Sequence, residues 1–294
     1  MRPISIIRME VVAKMTNYPR LKVEGKPFER GLSYGRLTGE LIRISILNYS
    51  GMFEAFSGLT WADARKRALD FLPCIENYAP DLLEEMRGIA EGAGLVFEDI
   101  LTLNSRSEIV LDTSVDGCTA FGVTPAFTSE GSTCICQNWD WIRRQQEALV
   151  VMEMVQEPPC PSILMIAEAG IISGKGINSS GLGVCFNALS TGRGKTGVPI
   201  HVLLRKILDS KTLGDAVESV ATAQRASSGN FLIGTSEGEI INIESAPEDF
   251  GVLYAEKGYL AHTNHFLCTN LTCHVRDHGK VILPDTFHRL GRIK

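Results

Sequence analysis

Between Phe28 and about Gly94 apolar residues recur at every third or fourth position, with acids and bases between them, in FERGLSYGRLTGELIRISILNYSGMF and WADARKRALDFLPCIENYAPDLLEEMRGIAEGAG. That period predicts two or three helices, broken near Ser57-Gly58 and before Pro80. The second half changes rhythm. TCICQNWDW, ALVVMEMVQ, SILMIAEAG, GLGVCFNAL, NFLIGTSEGEIINIES and GVLYAEKGYLAHTN are short β-branched or apolar runs separated by Gly, Pro, Ser or Glu-Gly turns, the pattern of strands and hairpins. Two amphipathic helices interrupt them, PIHVLLRKILDS and TLGDAVESVATAQ, the second with Thr212 placed as an N-cap. Helices, strands, helices and strands again predict an α+β fold, antiparallel sheet layered with helices, and not a regular βα wind. No internal repeat and no low-complexity linker divides the 294 residues, so residues 1–294 are expected to form one domain.

Composition narrows the function classes. With 44% hydrophobic and 21% charged residues the chain has the make-up of a folded globular protein. A net charge of −5 lacks the basic excess that a phosphate backbone requires, so no nucleic-acid partner is expected. The start, MRPISIIRMEVVAKMTN, lacks a signal peptide's long apolar run and cleavage site, and no later stretch approaches a membrane span. Neither membrane nor secretion is expected, the C-terminal Gly-Arg-Ile-Lys is no peroxisomal address, and a cytoplasmic location follows. The eight cysteines then read as reduced thiols, and the sequons at Asn48, Asn178 and Asn270 carry no meaning.

Three stretches offer chemistry and lose it on spacing. GKGINSSGLGVCFNALSTGRGKTG suggests a phosphate loop, but Gly194-Lys195-Thr196 would need a glycine where Leu189 stands; hairpin turns are the better reading. HTNHFLCTNLTCHVRDH gathers His262, His265, Cys268, Cys273, His274 and His278, ligand types that zinc accepts. Cys-x4-Cys-His-x3-His is not a usual finger spacing, so no metal is expected and a zinc site over 262–278 stands as an alternative. Cys134 and Cys136 share one strand face at spacing two, as small core residues do more often than a redox pair.

The stretch SVDGCTAFGVTP sets Cys118 directly behind Gly117, with Asp116 before them. Were the Gly117-Cys118 bond cut, Cys118 would become an N-terminus. Its α-amine, with an ordinary pKa of roughly 8, would then be a general base within reach of its own thiol, nucleophile and base on one residue. Such a site needs a carboxylate near the amine and a neutral donor for the oxyanion. Asp140 in QNWDW and Asn264 in HTNH each follow a strand-like run and are the candidates; a turn-capping Asp and a strand-end Asn are the plain alternatives.

At these residues the chain resembles a family, the acyl-coenzyme A:6-aminopenicillanic acid (isopenicillin N) acyltransferases and their wider group, the C45 class of self-cleaving N-terminal-nucleophile enzymes. The matching stretches run nearly end to end: GKPFERGLSYG, EEMRGIAEGA, LNSRSE, DGCTAFG, CQNWDW, EAGIISGKGINSSGLGV with NAL, TGVPIHVLLRKIL, and AHTNH. The resemblance implies an αββα four-layer sandwich with antiparallel sheets, made as a precursor that cleaves itself into an α fragment, 1–117, and a β fragment, 118–294, which stay together. It implies Cys118 as nucleophile, its freed amine as base, Asp140 as the carboxylate near the amine and Asn264 as the oxyanion donor. Arg106 and Glu108 of LNSRSE fall in a segment packed near the cleavage site, and Asp116 is placed as a proton acceptor or a turn former. The substrate is expected to be a small amide or acyl thioester, with coenzyme A thioester as an acyl donor and no bound cofactor. Two departures are visible. A Ser-Arg pair that family members carry in a further C-terminal segment is not in this chain, which reads as a C-terminally truncated domain, and Gly229 stands where the family has a serine, with Ser228 adjacent. An uncleaved, inactive homologue that serves as a binding or structural protein is the alternative they leave open.

Overall fold

The structure, a computed structural model, describes residues 18–110, 117–192 and 194–294. Its first strand, β1 (Arg20–Gly25), is followed by the longest helix, α1 (Pro27–Ser57). Proline at the first helical turn suits α1 because that N–H would go unpaired in any case, and Gly58, at φ +62°, ends it in the left-handed conformation. Then come α2 (Trp61–Ala68), α3 (Leu72–Tyr78), α4 (Pro80–Ala93), α5 (Phe97–Asn104) and α6 (Arg106–Val110). The expected breaks at Ser57-Gly58 and before Pro80 are present; the expected two or three helices are more finely divided.

The pairing of α1 with α4 explains the glycines of GLSYG and GIAEG. A Cβ on Gly31 or Gly35 would lie 2.0 or 2.2 Å from the carbonyl oxygens of Glu85 or Ile89. One on Gly88 or Gly92 would lie 2.2 Å from those of Phe28 or Leu32. Two glycine pairs at spacing four thus let two helix backbones touch along a shared stripe, which any side chain there would prevent.

Strands β2 (Gly117–Val123), β3 (Cys134–Asp140), β4 (Leu149–Gln156), β5 (Ile163–Glu168), β6 (Gly174–Asn178) and β7 (Leu182–Ala188) come next. Helices α7 (Ile200–Asp209) and α8 (Leu213–Ala221) follow, the latter capped by Thr212 as expected, its hydroxyl accepting from Asp215 N. Strands β8 (Gly229–Thr235), β9 (Ile240–Ser245), β10 (Phe250–Tyr254) and β11 (Tyr259–His262), two short helical turns and α9 (Asp285–Ile293) complete the described chain. One sheet has eight strands in the order β1-β4-β5-β6-β7-β8-β9-β10, the other three in the order β11-β2-β3. Every pairing is antiparallel except β1 with β4. The glycine-rich stretch forms the β6–β7 hairpin, where Asn178 Oδ1 accepts from Ser180 N and Leu182 N and Gly181 takes φ +86°.

The layers run helix, sheet, sheet, helix. α1 packs on β1, α7 on β6 and β7, and α8 on β9, all on one side of the large sheet. Against its other side lie β2 and β3, over β7 and β8, while α9 covers β2 and β11 from outside. The expected four-layer α+β sandwich is therefore present, with unequal layers. Most of the apolar core fills the space between the first helices and the large sheet; a smaller cluster, Ala120, Cys185, Leu232 and Ile240, fills the space between the sheets.

One expectation is corrected. Cys134 and Cys136 do share a face of β3, but that face is exposed. Ile135, Gln137 and Trp139 point to the large sheet instead, because they stand opposite Gly122, Ala120 and Cys118, the inward residues of β2.

Candidate active site

The first two residues of β2 carry the site. Alternation along the strand turns the Cys118 side chain inward with Ala120, leaving it 1% exposed, while Gly117 stands opposite Asp140 in the β2–β3 ladder. A Cβ on Gly117 would lie 3.2 Å from Asp140 Oδ2, so the carboxylate sits over the Gly117 α-carbon.

Asn264 approaches from the other side. Its Oδ1 accepts the Cys118 N–H at 2.9 Å, and its Nδ2 donates to the Ala188 carbonyl at 3.0 Å. The segment bearing it is held at several points. Asn264 N donates to Thr286 Oγ1 at 2.8 Å, and Thr263 Oγ1 donates to the Thr286 carbonyl at 3.1 Å. The buried Glu244 carboxylate takes the backbone N–H groups of Leu267 and Cys268 at 2.7 and 2.9 Å and the His262 ring at 2.6 Å. His265 Nδ1 lies 2.8 Å from Thr286 Oγ1; burial first, and the neighbouring His262 second, push its pKa down to about 4.

Sequence reasoning missed α9. Thr286 anchors Asn264 from it, and Arg289 reaches further in. Arg289 Nη1 donates to the Cys118 carbonyl at 2.5 Å and to Thr119 Oγ1 at 3.2 Å, Nη2 donates to Asn264 Oδ1 at 2.8 Å, and Nε is held by Asp285 at 2.7 Å. The available signal was Pro284 followed by Asp285 and, four residues on, Arg289, a helix start with an i, i+4 ion pair.

Among the described residues no hydrogen bond joins Arg106 or Glu108 to this constellation. Both lie on α6, beyond the end of β7. There a cleft opens because β6 and β7 pair only at Gly176–Ile177, after which the Gln137 side chain takes over the Phe186 backbone at 2.6 and 2.8 Å. Val110, Arg106, Trp141, Lys175, Ala188 and His201 are among its lining residues. Arg106 pairs with Glu168 at 2.7 Å and faces the rings of Tyr49 and Trp141 at 4.9 and 5.1 Å. Burial pushes the Glu108 carboxyl up, and the group accepts from Ile200 N and Ser227 Oγ. Ser228, beside Gly229, lines the cleft as well. Asp116 lies outside the described residues.

The histidines and cysteines of 262–278 disperse. His262 goes to Glu244, His265 to Thr286 and His274 to Asp249, while Cys268 is buried and Cys273 exposed. Among the described residues no three metal-ligating side chains converge. No helix of the described residues is long and apolar enough to cross a membrane.

Comparison with known proteins bears on this arrangement directly. The model of the acyl-coenzyme A:6-aminopenicillanic acid acyl-transferase family matches residues 127–294. The chain belongs to that family. The matched residues include Asp140, Asn264, Thr286 and Arg289 and begin beyond Cys118. A relative from Emericella nidulans, the acyl-coenzyme A:6-aminopenicillanic-acid-acyltransferase 40 kDa form, is 31% identical over 281 residues, covering 92% of this chain and 75% of its own length. Among solved structures, a penicillin V acylase from Agrobacterium tumefaciens aligns with 51% of this chain and 46% of its own, under half its length, at TM-score 0.28 and 12% identity.

Proposed function

We propose that the chain is a self-cleaving N-terminal-cysteine acyltransferase and amidohydrolase, which moves acyl groups from small amides or coenzyme A thioesters to an amine or to water. The observation that carries the reading is the setting of the Gly117-Cys118 peptide, whose nitrogen is held by Asn264 while the Asp140 carboxylate lies over the Gly117 α-carbon. Membership of an acyltransferase family supports the same class of reaction.

In the first step the Cys118 thiol attacks the Gly117 carbonyl. The C–S bond forms, the C–N bond breaks, and the thiol's proton ends on the departing nitrogen; water then opens the thioester, freeing the Gly117 carboxylate and regenerating the thiol. Glycine leaves that carbonyl unshielded. After the cut, the Cys118 amine is free to turn toward Asp140, which favours its protonated form when it carries the thiol's proton. The thiolate then attacks the substrate's acyl carbon. Asn264 Nδ2 has two hydrogens and gives one to Ala188; the other serves the developing oxyanion. The leaving amine or thiol takes the proton from the Cys118 ammonium, and an amine or water then attacks the acyl-enzyme, so one site performs transfer or hydrolysis according to the acceptor.

Intact mass and N-terminal sequencing of the purified protein test this. Two fragments, one beginning Cys-Thr-Ala-Phe, are expected, and Cys118→Ala should remain a single chain that forms no acyl-enzyme. A wild-type protein that stays whole, or a Cys118→Ala protein that is cut, overturns the reading in favour of an uncleaved binding or structural homologue.

A further inference from the structure

Asn264 has an amide whose two ends differ only in which atom accepts and which donates, and a site that uses it needs one of the two orientations. Here Oδ1 receives two donors, the Cys118 N–H at 2.9 Å and Arg289 Nη2 at 2.8 Å, which together occupy both lone pairs of a carbonyl oxygen. The same guanidinium holds the Cys118 carbonyl through Nη1 at 2.5 Å and the Thr119 hydroxyl at 3.2 Å. One rigid planar fork therefore spans the backbone oxygen of the residue that carries the thiol and the side-chain oxygen that holds its nitrogen. A lysine, with a single ammonium point, cannot match that pair of directions. Asp285, one turn earlier on α9, fixes the fork from behind through Nε at 2.7 Å.

We infer that Arg289 is a positioning residue for both self-cleavage and acyl transfer: its guanidinium locks the Asn264 amide with oxygen toward Cys118 N and nitrogen toward Ala188 and the reacting carbonyl. The inference rests on the reading above. Its physical content is a selection between two amide rotamers. Turned by half a circle, Asn264 would present N–H groups to the Cys118 N–H and to the guanidinium, donor against donor, and would set its oxygen against the Ala188 carbonyl. Two of these conflicts remain without Arg289; the charged one, the strongest of the three, disappears with it. The guanidinium also keeps the Cys118 carbonyl, and so the torsion that aims the thiol, in one place before and after the peptide is cut.

The test compares Arg289→Gln and Arg289→Lys with the wild type in self-cleavage rate, followed on denaturing gels after synthesis, and in kcat and KM of the cut protein with an amide substrate. Losing a charged, partly buried donor costs roughly ten- to a hundredfold. Arg289→Gln is expected to lose that much in cleavage rate and in kcat while KM holds within about twofold. Arg289→Lys should fold as the wild type does and recover only part of the rate, and added guanidinium should raise kcat of Arg289→Ala. A folded Arg289→Gln protein that cuts itself and turns over at the wild-type rate overturns the inference. So does a fall in kcat matched by a rise in KM and a loss of Tm that neither lysine nor guanidinium repairs, which would make Arg289 a packing strut. A wild type that never yields a fragment starting at Cys118 defeats the broader reading instead. Arg289 is then judged on crystal structures of the uncut wild type and Arg289→Gln: an Asn264 side chain that leaves Cys118 N in the variant supports the lock, and one that does not move rules it out.

Discussion

Arg205 and Arg289 are both guanidiniums that tie distant segments together, and they are aimed at different kinds of acceptor. Arg205, wholly buried on α7, grips Glu85 of α4 with two parallel bonds, at 2.7 and 3.0 Å, and Arg30 of α1 adds a third to the same carboxylate at 2.8 Å. Burial works against the charge, yet Asp209 and Glu85 hold Arg205 firmly protonated. Two cations thus share Glu85, with Asp209 and Gln156 completing the cluster. Arg289, at 18% side-chain exposure, turns instead to neutral oxygens of Cys118, Thr119 and Asn264, and its only carboxylate partner among the described residues, Asp285, is more than half exposed. A closed ion cluster spends its charges on one another and contributes shape. A guanidinium that faces carbonyls leaves its field and its geometry to whatever reacts beside it.

The contrast is sharpest under substitution. Glu85→Gln should cost about 3–5 kcal/mol of stability, because it leaves Arg30 and Arg205 buried against a neutral amide; thermal unfolding measures this, and kcat of the folded fraction should hold. Asn264→Ala should invert the pattern. As the proposed oxyanion donor, its loss should cost about a hundred- to a thousandfold in kcat, and the melting temperature should move far less than in Glu85→Gln. Equal effects of the two substitutions on stability would erase the distinction between the clusters.

A smaller effect separates the regions by pH. Burial holds His265 at about 4, below the roughly 6.5 of an unfolded histidine. The unfolded chain therefore binds a proton first, and the stability this contributes is present above pH ~6.5 and lost as pH falls through ~4. The loss should be on the order of 1–3 kcal/mol, visible in denaturant midpoints across that window. His265→Gln should flatten the slope, whereas Glu85→Gln should leave it in place. Since His265 Nδ1 contacts Thr286, which holds Asn264 N, the same acid range should also depress turnover.

How much of this was legible beforehand follows from what periodicity encodes. The antiparallel strands and the α1 and α4 helices were readable because their apolar spacing is dictated by one large buried face. The α+β class followed from their order. β1 was not readable: RLKVEG buries only Val23 fully, and its parallel pairing with β4 joins residues more than a hundred positions apart. Cys134 and Cys136 were misassigned because spacing shows that two residues share a face but not which face is inward. Cys118, Asp140 and Asn264 were named from chemistry and resemblance, and the fold brings them to one strand end. Arg289 escaped because its partners are mostly carbonyl oxygens and a hydroxyl, and no residue pattern announces a bond to a backbone carbonyl.

The smallest expected effect concerns the glycine itself. In Gly117→Ala the new methyl would sit 3.1 Å from Asp140 Cβ and 3.2 Å from its Oδ2, so the strand end or the carboxylate must yield by a few tenths of an ångström. It would also crowd the carbonyl that the thiol attacks in the proposed self-cleavage. A displacement of that size, well under the ångström that costs a hundredfold, should slow self-cleavage by roughly three- to tenfold. In the proposed mechanism residue 117 is joined to Cys118 only until the cut, so the slowing of cleavage on denaturing gels should exceed any change in kcat of the fraction already cut. If turnover suffers as much as cleavage, Gly117 shapes the Asp140 side of the mature site, and the division between the cutting and the transferring roles of this strand end falls.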